Sequence, residues 1–434
     1  MATAELLQLL PVASCQKNDN SKIKTIPRHA EAQINYNDFY WNYMDANCPV
    51  VLTGVSENWE CRKKWTFSSN KNSAPTSNEN NTTYTAINFD YLKDKLSDCR
   101  VPVADCSREY FNSHVKKEMQ FCEFLDYWQA QVNAYSSTVN KINDNPSNLK
   151  TTDNLYLKDW HLKAQLADYN FYTVPKHFAS DWLNEYLIIN GKDDYRFVYM
   201  GPKGSWTPFH ADVFGSYSWS TNIAGCKKWL MLPPNEELKL ADRFGNLPFC
   251  IDEQILKENN VVFYTVMQEE NEALFVPSGW YHQVCNLTDT ISINHNWFNA
   301  CNVQRIWRNL TTNMKQVIQE IADCRQMDNF DEHCQTMLRA SFGINYLDFL
   351  DIIEFIAERR LSSNSNGNNC NVATEKSSNF VIFDTFTLNE FHIRNDLECL
   401  WKLLEIMIQD KVICDSRNLL YRRCLRLLEL MKGF

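Results

Sequence analysis

The stretch that decides the fold runs from Gly201 to Trp229, GPKGSWTPFHADVFGSYSWSTNIAGCKKW. It must be read with a second piece, Ala273 to Phe298, ALFVPSGWYHQVCNLTDTISINHNWF. The first carries His210 and Asp212 as an H-x-D pair, and the second carries His282. Along an extended strand, side chains at i and i+2 leave on the same face, so His210 and Asp212 can enter one cavity. His282 sits in an alternating aromatic and aliphatic run that reads as another strand, and a sheet folded on itself would bring it opposite. Two imidazoles and one carboxylate are the facial ligand set that holds non-haem Fe(II) and leaves its other positions open. An isolated H-x-D is as a rule a surface turn or a satisfied hydrogen-bonded pair, so its surroundings must carry the reading.

Outward from these pieces, Tyr195 to Phe298 is a series of short alternating runs broken by Gly, Pro, Asn and Asp. The runs are Arg196 to Met200, Ser216 to Ile223, Lys227 to Leu232, Val261 to Val266, Ala273 to Val276, His282 to Asn286 and Thr290 to Asn296. Many short strands with turn signals predict a sandwich or barrel. Upstream, aromatics at helical spacing predict a helix over Ile34 to Tyr43, followed by a buried strand at Pro49 to Leu52. Phe89 to Leu96 and Glu118 to Val132 read as helices, Arg100 to Asp105 and Leu155 to Leu157 as strands. Residues 136–153 read as a loop, and the polar, low-complexity stretch 68–83 as a disordered insert. Downstream, Val303 to Cys324 carries an apolar stripe at 3.6-residue spacing, and residues 346–360, 388–410 and 412–431 continue in helical style. A second polar linker, 362–379, interrupts them. This helical region is read as a cap over the barrel and as a candidate homodimer surface.

Composition narrows the class. With 434 residues, 44% hydrophobic and 22% charged, the chain can bury a sizeable core. The net charge of −10 argues against a nucleic-acid partner, which calls for a basic patch. The 16 cysteines are scattered without a C-x-x-C, which reads as free thiols in a reducing compartment. The first residues lack the basic start of a secretory signal, and no apolar window approaches the roughly 18–20 residues of a membrane span. The expectation is a soluble protein of the cytoplasm, with the nucleus as the alternative.

The motifs carry a resemblance as well. W-T-P-F-H-A-D around the first two ligands, S-W-S-x-N-x-x-G-x-K-K-W after them and L-F-V-P-S-G-W-Y-H-Q-V-x-N-L around the third are similar to the signature stretches of the jumonji-C (JmjC) oxygenases. The likeness extends upstream through Asn47 to Gly54, Val101 to Cys106 and Leu155 to Leu162, covering residues 26–300 in order. It implies an α+β fold: a double-stranded β-helix (jelly-roll, cupin-like) core with N-terminal flanking helices and a C-terminal helical region. The boundaries expected are a flexible N-terminus at 1–25, a flanking α/β region at 26–192, the JmjC core at 193–300 and the helical region at 301–434.

The resemblance also implies Fe(II) held by His210, Asp212 and His282, with 2-oxoglutarate and O₂ as co-substrates. It places the lysine that binds 2-oxoglutarate at Lys227, and Lys228 then alternates to the opposite face. Thr207 and Tyr156 match positions whose hydroxyls contact the same carboxylate. Asn294 stands where relatives often have Thr, and Ser220 where some have Asn. His161 and His295 are read as supporting residues, Trp206, Trp219 and Trp280 as walls, and Pro277 and Gly279 as the turn presenting His282. The activity implied is hydroxylation of a lysyl side chain in a translation release factor, with Asp159, Asp193 and Asp194 as candidate rim carboxylates. Alternatives are a histone lysine demethylase, which no zinc-finger reader or basic cluster supports, and a non-catalytic jelly-roll binding module.

Overall fold

Alternation of side chains builds the centre of the molecule, for which the computed structural model describes residues 4–11, 25–69, 84–139, 154–364, 383, 385–413 and 418–433. In the strand Lys227–Leu232, Trp229 and Met231 pack inward against Val51, Leu274 and Val276. Leu230 and Leu232, on the other face, join Phe209, Ile251 and Leu256. This strand lies in a four-stranded antiparallel sheet in the order Trp206–His210, Tyr281–Asn286, Lys227–Leu232, Tyr264–Gln268. A nine-stranded sheet includes, in consecutive order, Glu272–Val276, Tyr217–Ala224, Thr290–Trp297, Arg196–Gly201, Leu155–Trp160, Arg100–Tyr110 and Ser113–Gln120. From Arg196 to Trp297 the chain crosses from one sheet to the other repeatedly, which is the winding of a double-stranded β-helix.

The two faces of the larger sheet differ sharply. Trp219, Phe275 and Trp297 project to one side, where Phe178 stacks on Trp219 at 5.4 Å and Phe39 meets Phe275 edge-on at 5.4 Å. On the other side, Ser218, Ser220, Asn294 and Asn296 face a cavity between the sheets. Period-two alternation thus makes one strand serve an aromatic core and a polar site at once.

After the last barrel strand the chain is helical. Val303–Glu320 buries Val303, Ile306, Trp307, Leu310, Met314 and Val317, a stripe at helical spacing. Helix Tyr346–Asn364 packs against Trp182–Ile189, Glu390–Met407 and Leu419–Met431. Three of these meet at Arg360, which is fully buried and donates to both oxygens of Glu185 and to Asp396 Oδ2 at 2.8–3.1 Å. Removing the guanidinium would take the shared donor from two buried carboxylates, leaving Arg359 beside Glu185 and His392 beside Asp396. We expect Arg360→Met to cost about 3–5 kcal/mol in thermal or urea unfolding.

Several sequence expectations change. Residues 4–11 are ordered: Glu5–Leu7 pairs in parallel with Phe386–Leu388, and Leu7 and Leu9 are buried. That pairing joins segments far apart in sequence, which no local pattern reveals. The first helix starts at Tyr36, capped by Asn35, and continues as a π-helical turn to Asp45. The strand from Arg100 runs to Tyr110 and returns as Ser113–Gln120, so the next helix begins at Phe121. This hairpin is largely polar and turns on Phe111 and Asn112, both at positive φ, so hydrophobic alternation could not announce it. The strand placed at Val261 begins at Tyr264, and a helix at Phe330–Phe342 was not foreseen. Residues 68–69 form a hairpin with Tyr84–Ile87, 136–139 are helical, and 362–364 end a helix. The remainder of the stretches 68–83, 136–153 and 362–379 lies outside the described residues. Among the described residues no helix is long and apolar enough to cross a membrane, and cysteines such as Cys48, Cys61 and Cys106 are free thiols.

Candidate active site

A cavity of about 420 Å³ opens between the sheets, and all eight singled-out residues line it: Tyr156, Thr207, His210, Asp212, Ser220, Lys227, His282 and Asn294. At one end, His210 and His282 are direct cross-strand partners, their rings 4.4 Å apart. One ligand atom each from His210, Asp212 and His282 lies within 4.8 Å of the others.

The groups around these residues set their state. His210 Nδ1 donates to the Pro208 carbonyl at 2.8 Å and His282 Nδ1 to the Trp280 carbonyl at 3.0 Å. A carbonyl only accepts, so each ring carries its proton on Nδ1 and keeps the Nε2 lone pair for a metal. Burial, with His282 beside it, pulls the His210 pKa down to about 4, which keeps that imidazole neutral and able to ligate. Asp212 receives Asn296 Nδ2 on Oδ1 at 2.9 Å and Ser218 Oγ on Oδ2 at 2.7 Å. Two imidazoles and a carboxylate held this way fit one divalent ion.

Four residues along the same strand from Met231, the partner of His282, stands Lys227, the partner of Asn286. At 3.3 Å per residue, the two ends of the cavity are about 13 Å apart along the strand. Lys227 is 2% exposed and donates to Ser292 Oγ at 2.6 Å. Burial, then the nearby Lys158, bring its ammonium down to about 7. Ser292 Oγ also receives Asn294 Nδ2 at 3.1 Å, and the Ser220 hydroxyl is buried without a partner among the described residues. A buried ammonium beside orphaned and shared hydroxyls calls for an anion. Lys228 turns outward to Glu253, as alternation requires.

Two glycines make this possible. A Cβ on Gly201 would lie 2.5 Å from the Tyr156 ring, so only glycine lets that tyrosine reach the cavity. Gly225, at φ +79°, turns the chain into the Lys227 strand, and a Cβ there would stand 2.1 Å from the Asp289 carbonyl.

Comparison with known proteins agrees with this geometry. The family described as "JmjC domain, hydroxylase" matches residues 197–297. The "2-oxoglutarate and iron-dependent oxygenase JMJD4 homolog" of Drosophila melanogaster is 57% identical over 91% of this chain and 91% of its own. The chain belongs to the JmjC family. The "2-oxoglutarate and iron-dependent oxygenase JMJD4" of Danio rerio is 39% identical over 88% of this chain and 86% of its own. The "Arginine-specific demethylase JMJ20" of Arabidopsis thaliana is 37% identical over 75% and 69%.

Within the JmjC barrel, some assignments from sequence move. Trp219 turns its ring to the opposite face of its strand, against Phe178 and His295, Trp206 packs on His114 and Phe249, and Trp280 is buried beside Tyr264. Trp229 takes the wall position instead, its ring 5.4 Å from His282. His295 is buried against Trp219 with Tyr172 on its Nε2, and His161 lies beside Asp194; neither lines the cavity. Asp194 is buried in an ion pair with Arg196 at 2.5 Å, and Asp193 is exposed away from the cavity. Of the three rim candidates only Asp159 borders the cavity.

Sequence reading missed Ser218, Ser292 and Asn296. The signal was present, because Ser292, Asn294 and Asn296 alternate with Ile291, Ile293 and His295. It also missed Lys158, two residues beyond Tyr156 and so on its face of the strand. Lys158 lines the cavity, is 9% exposed, and has no hydrogen-bond or ion-pair partner among the described residues.

Proposed function

We propose that the chain is an iron- and 2-oxoglutarate-dependent oxygenase that hydroxylates a protein, its target a lysyl side chain of a translation release factor. The observation that carries the oxygenase reading is one cavity with two poles, the His210–Asp212–His282 cluster and the buried Lys227 ammonium. The release-factor target rests on the motif resemblance and gives the protein a place in the cytoplasm, beside translation.

In this reading His210, Asp212 and His282 hold the iron, and Lys227 takes the distal carboxylate of 2-oxoglutarate. Ser220, Asn294, Tyr156 and Thr207 supply the polar wall around that carboxylate, with Ser292 behind them accepting from Lys227. When bound, iron, 2-oxoglutarate and O₂ together supply an oxidant that replaces C–H by C–OH, the co-substrate leaving as succinate and CO₂. The chain's own work is placement. The Pro208 and Trp280 carbonyls fix both imidazole tautomers, and Ser218 with Asn296 holds the Asp212 carboxylate in one orientation. Trp229 and Val284 wall the middle of the cavity with apolar surface and exclude water between its poles.

A second reading has one supporting observation, the arginine demethylase name of the Arabidopsis relative. Oxidation of an N-methyl carbon would use the same site and release the methyl group as formaldehyde. Mass spectrometry separates the two. Purified release factor, unmodified and methylated, is incubated with enzyme, Fe(II), 2-oxoglutarate and ascorbate. A gain of one oxygen on a lysyl residue is the expected result. Loss of methyl groups without that gain would replace it by the second reading, and an unchanged release factor would refute the named target.

A further inference from the structure

Asp159 is set apart by its backbone and its position. It sits in the strand Leu155–Trp160 at φ +60°, where pairing with Arg196–Gly201 shifts register between Leu157 and Trp160. Regular alternation would send Asp159 to the face opposite Lys158, yet both line the cavity. The bulge has turned a carboxylate into the site, and a non-glycine residue at positive φ carries a conformational cost that tends to mark function. Among the described residues lining the cavity, the only carboxylates are Asp212, which belongs to the candidate metal cluster, and Asp159.

Asp159 already holds an alkylammonium. Lys116, from the edge strand Ser113–Gln120, donates to Oδ2, and the Tyr199 hydroxyl donates to Oδ1. The pair stands at the cavity mouth, Lys116 46% and Asp159 31% exposed, where such a contact is worth about 0–1 kcal/mol and exchanges easily. Burial opposes charge on Asp159, but Lys158 and Lys116 outweigh it and hold the carboxyl at about 2, so it stays ionised. An anionic co-substrate would be repelled here, and an entering cation would be matched.

We propose that Asp159 is the carboxylate that receives the cationic side chain of the protein substrate, and that Lys116 keeps its place in the free enzyme. The inference rests on the reading of a lysyl or otherwise cationic target. It adds the residue that selects for positive charge. Lys158 makes Asp159 indispensable, because without it an incoming ammonium would meet only another ammonium.

The test uses the full chain loaded with Zn(II) and 2-oxoglutarate, which bind without turnover. Saturation-transfer NMR measures the affinity of Nα-acetyl-lysine N-methylamide and of its neutral isostere, Nα-acetyl-norleucine N-methylamide. The wild type is expected to favour the lysyl probe about tenfold, which is about 1.4 kcal/mol. Asp159→Asn should erase the preference; asparagine tolerates positive φ, so the bulge survives. Lys116→Met should tighten the lysyl probe severalfold, since the competitor is gone. A purely structural ion pair would give the same sign for both variants. Titration of 2-oxoglutarate into each variant, expected to match wild type, shows that the cavity is intact. A preference that survives in Asp159→Asn, a weaker lysyl probe with Lys116→Met, or no preference in the wild type overturns the proposal. The probes contain no release-factor sequence. If the release factor is not oxidised while the lysyl preference depends on Asp159, the named target fails and this inference stands.

Discussion

Asp212→Ala abolishes succinate formation and lowers the iron content of the purified protein to background, while the far-ultraviolet circular dichroism stays that of the wild type. His210→Ala behaves in the same way. The expectation follows from the geometry: three ligand atoms within 4.8 Å form one site, and removing one leaves a pair that cannot close a facial set. Asp212 is partly exposed, so its loss leaves Ser218 and Asn296 with access to water rather than as buried orphans, and the barrel survives. A binding readout keeps the test independent of turnover. Mn(II) should raise the melting temperature of the wild type and leave both variants unmoved. Near-normal succinate formation, or a Mn(II) shift retained by Asp212→Ala, would refute the ligand set.

Lys227→Ala raises the dissociation constant for 2-oxoglutarate at least about a hundredfold with metal content unchanged. Lys227 is almost wholly buried, so the variant leaves the distal carboxylate desolvated without its counter-charge, a loss of about 3–5 kcal/mol. Lys228→Ala is the internal control, because that side chain faces Glu253 outside the barrel. Calorimetric titration of the Mn(II)-loaded protein measures both. Damage from Lys228→Ala instead would place the strand register off by one. The pH dependence has a definite sign. In the free protein the Lys227 ammonium titrates near 7, and a bound carboxylate raises that value. Binding therefore takes up a proton above pH 7, and 2-oxoglutarate affinity should fall as pH rises from 7 to 9. An affinity flat across that range would mean that burial does not depress the free Lys227 ammonium.

Much of this site was legible because strand alternation is local. His210 with Asp212, and Lys227 against Lys228, need only the rule that neighbours point to opposite faces, and the structure keeps both relations. Ser292 and Asn296 obeyed the same rule around Asn294 and were simply not followed to the end. The rim carboxylates were different. Asp159, Asp193 and Asp194 look alike as sequence, but Arg196 takes Asp194 into a buried pair and a bulge turns Asp159 inward. The tryptophans failed for a related reason, since Trp206 and Trp229 are equally apolar and only the packed sheets decide which one meets His282.

By itself, then, period-two spacing in the sequence pointed to a sandwich or barrel of short strands, to His210 and Asp212 on one face and to Lys227 opposite Lys228. The β-helix class, the three expected metal ligands and the choice of Lys227 as the inward lysine came from the JmjC resemblance of two short stretches. Only the tertiary structure decided that residues 5–7 close a strand with 386–388, that Arg360 pins three helices, and that Lys116 and Lys158 flank Asp159 at the cavity. Those depend on pairings between distant segments and on one residue held at positive φ, and neither leaves a periodic trace in the chain.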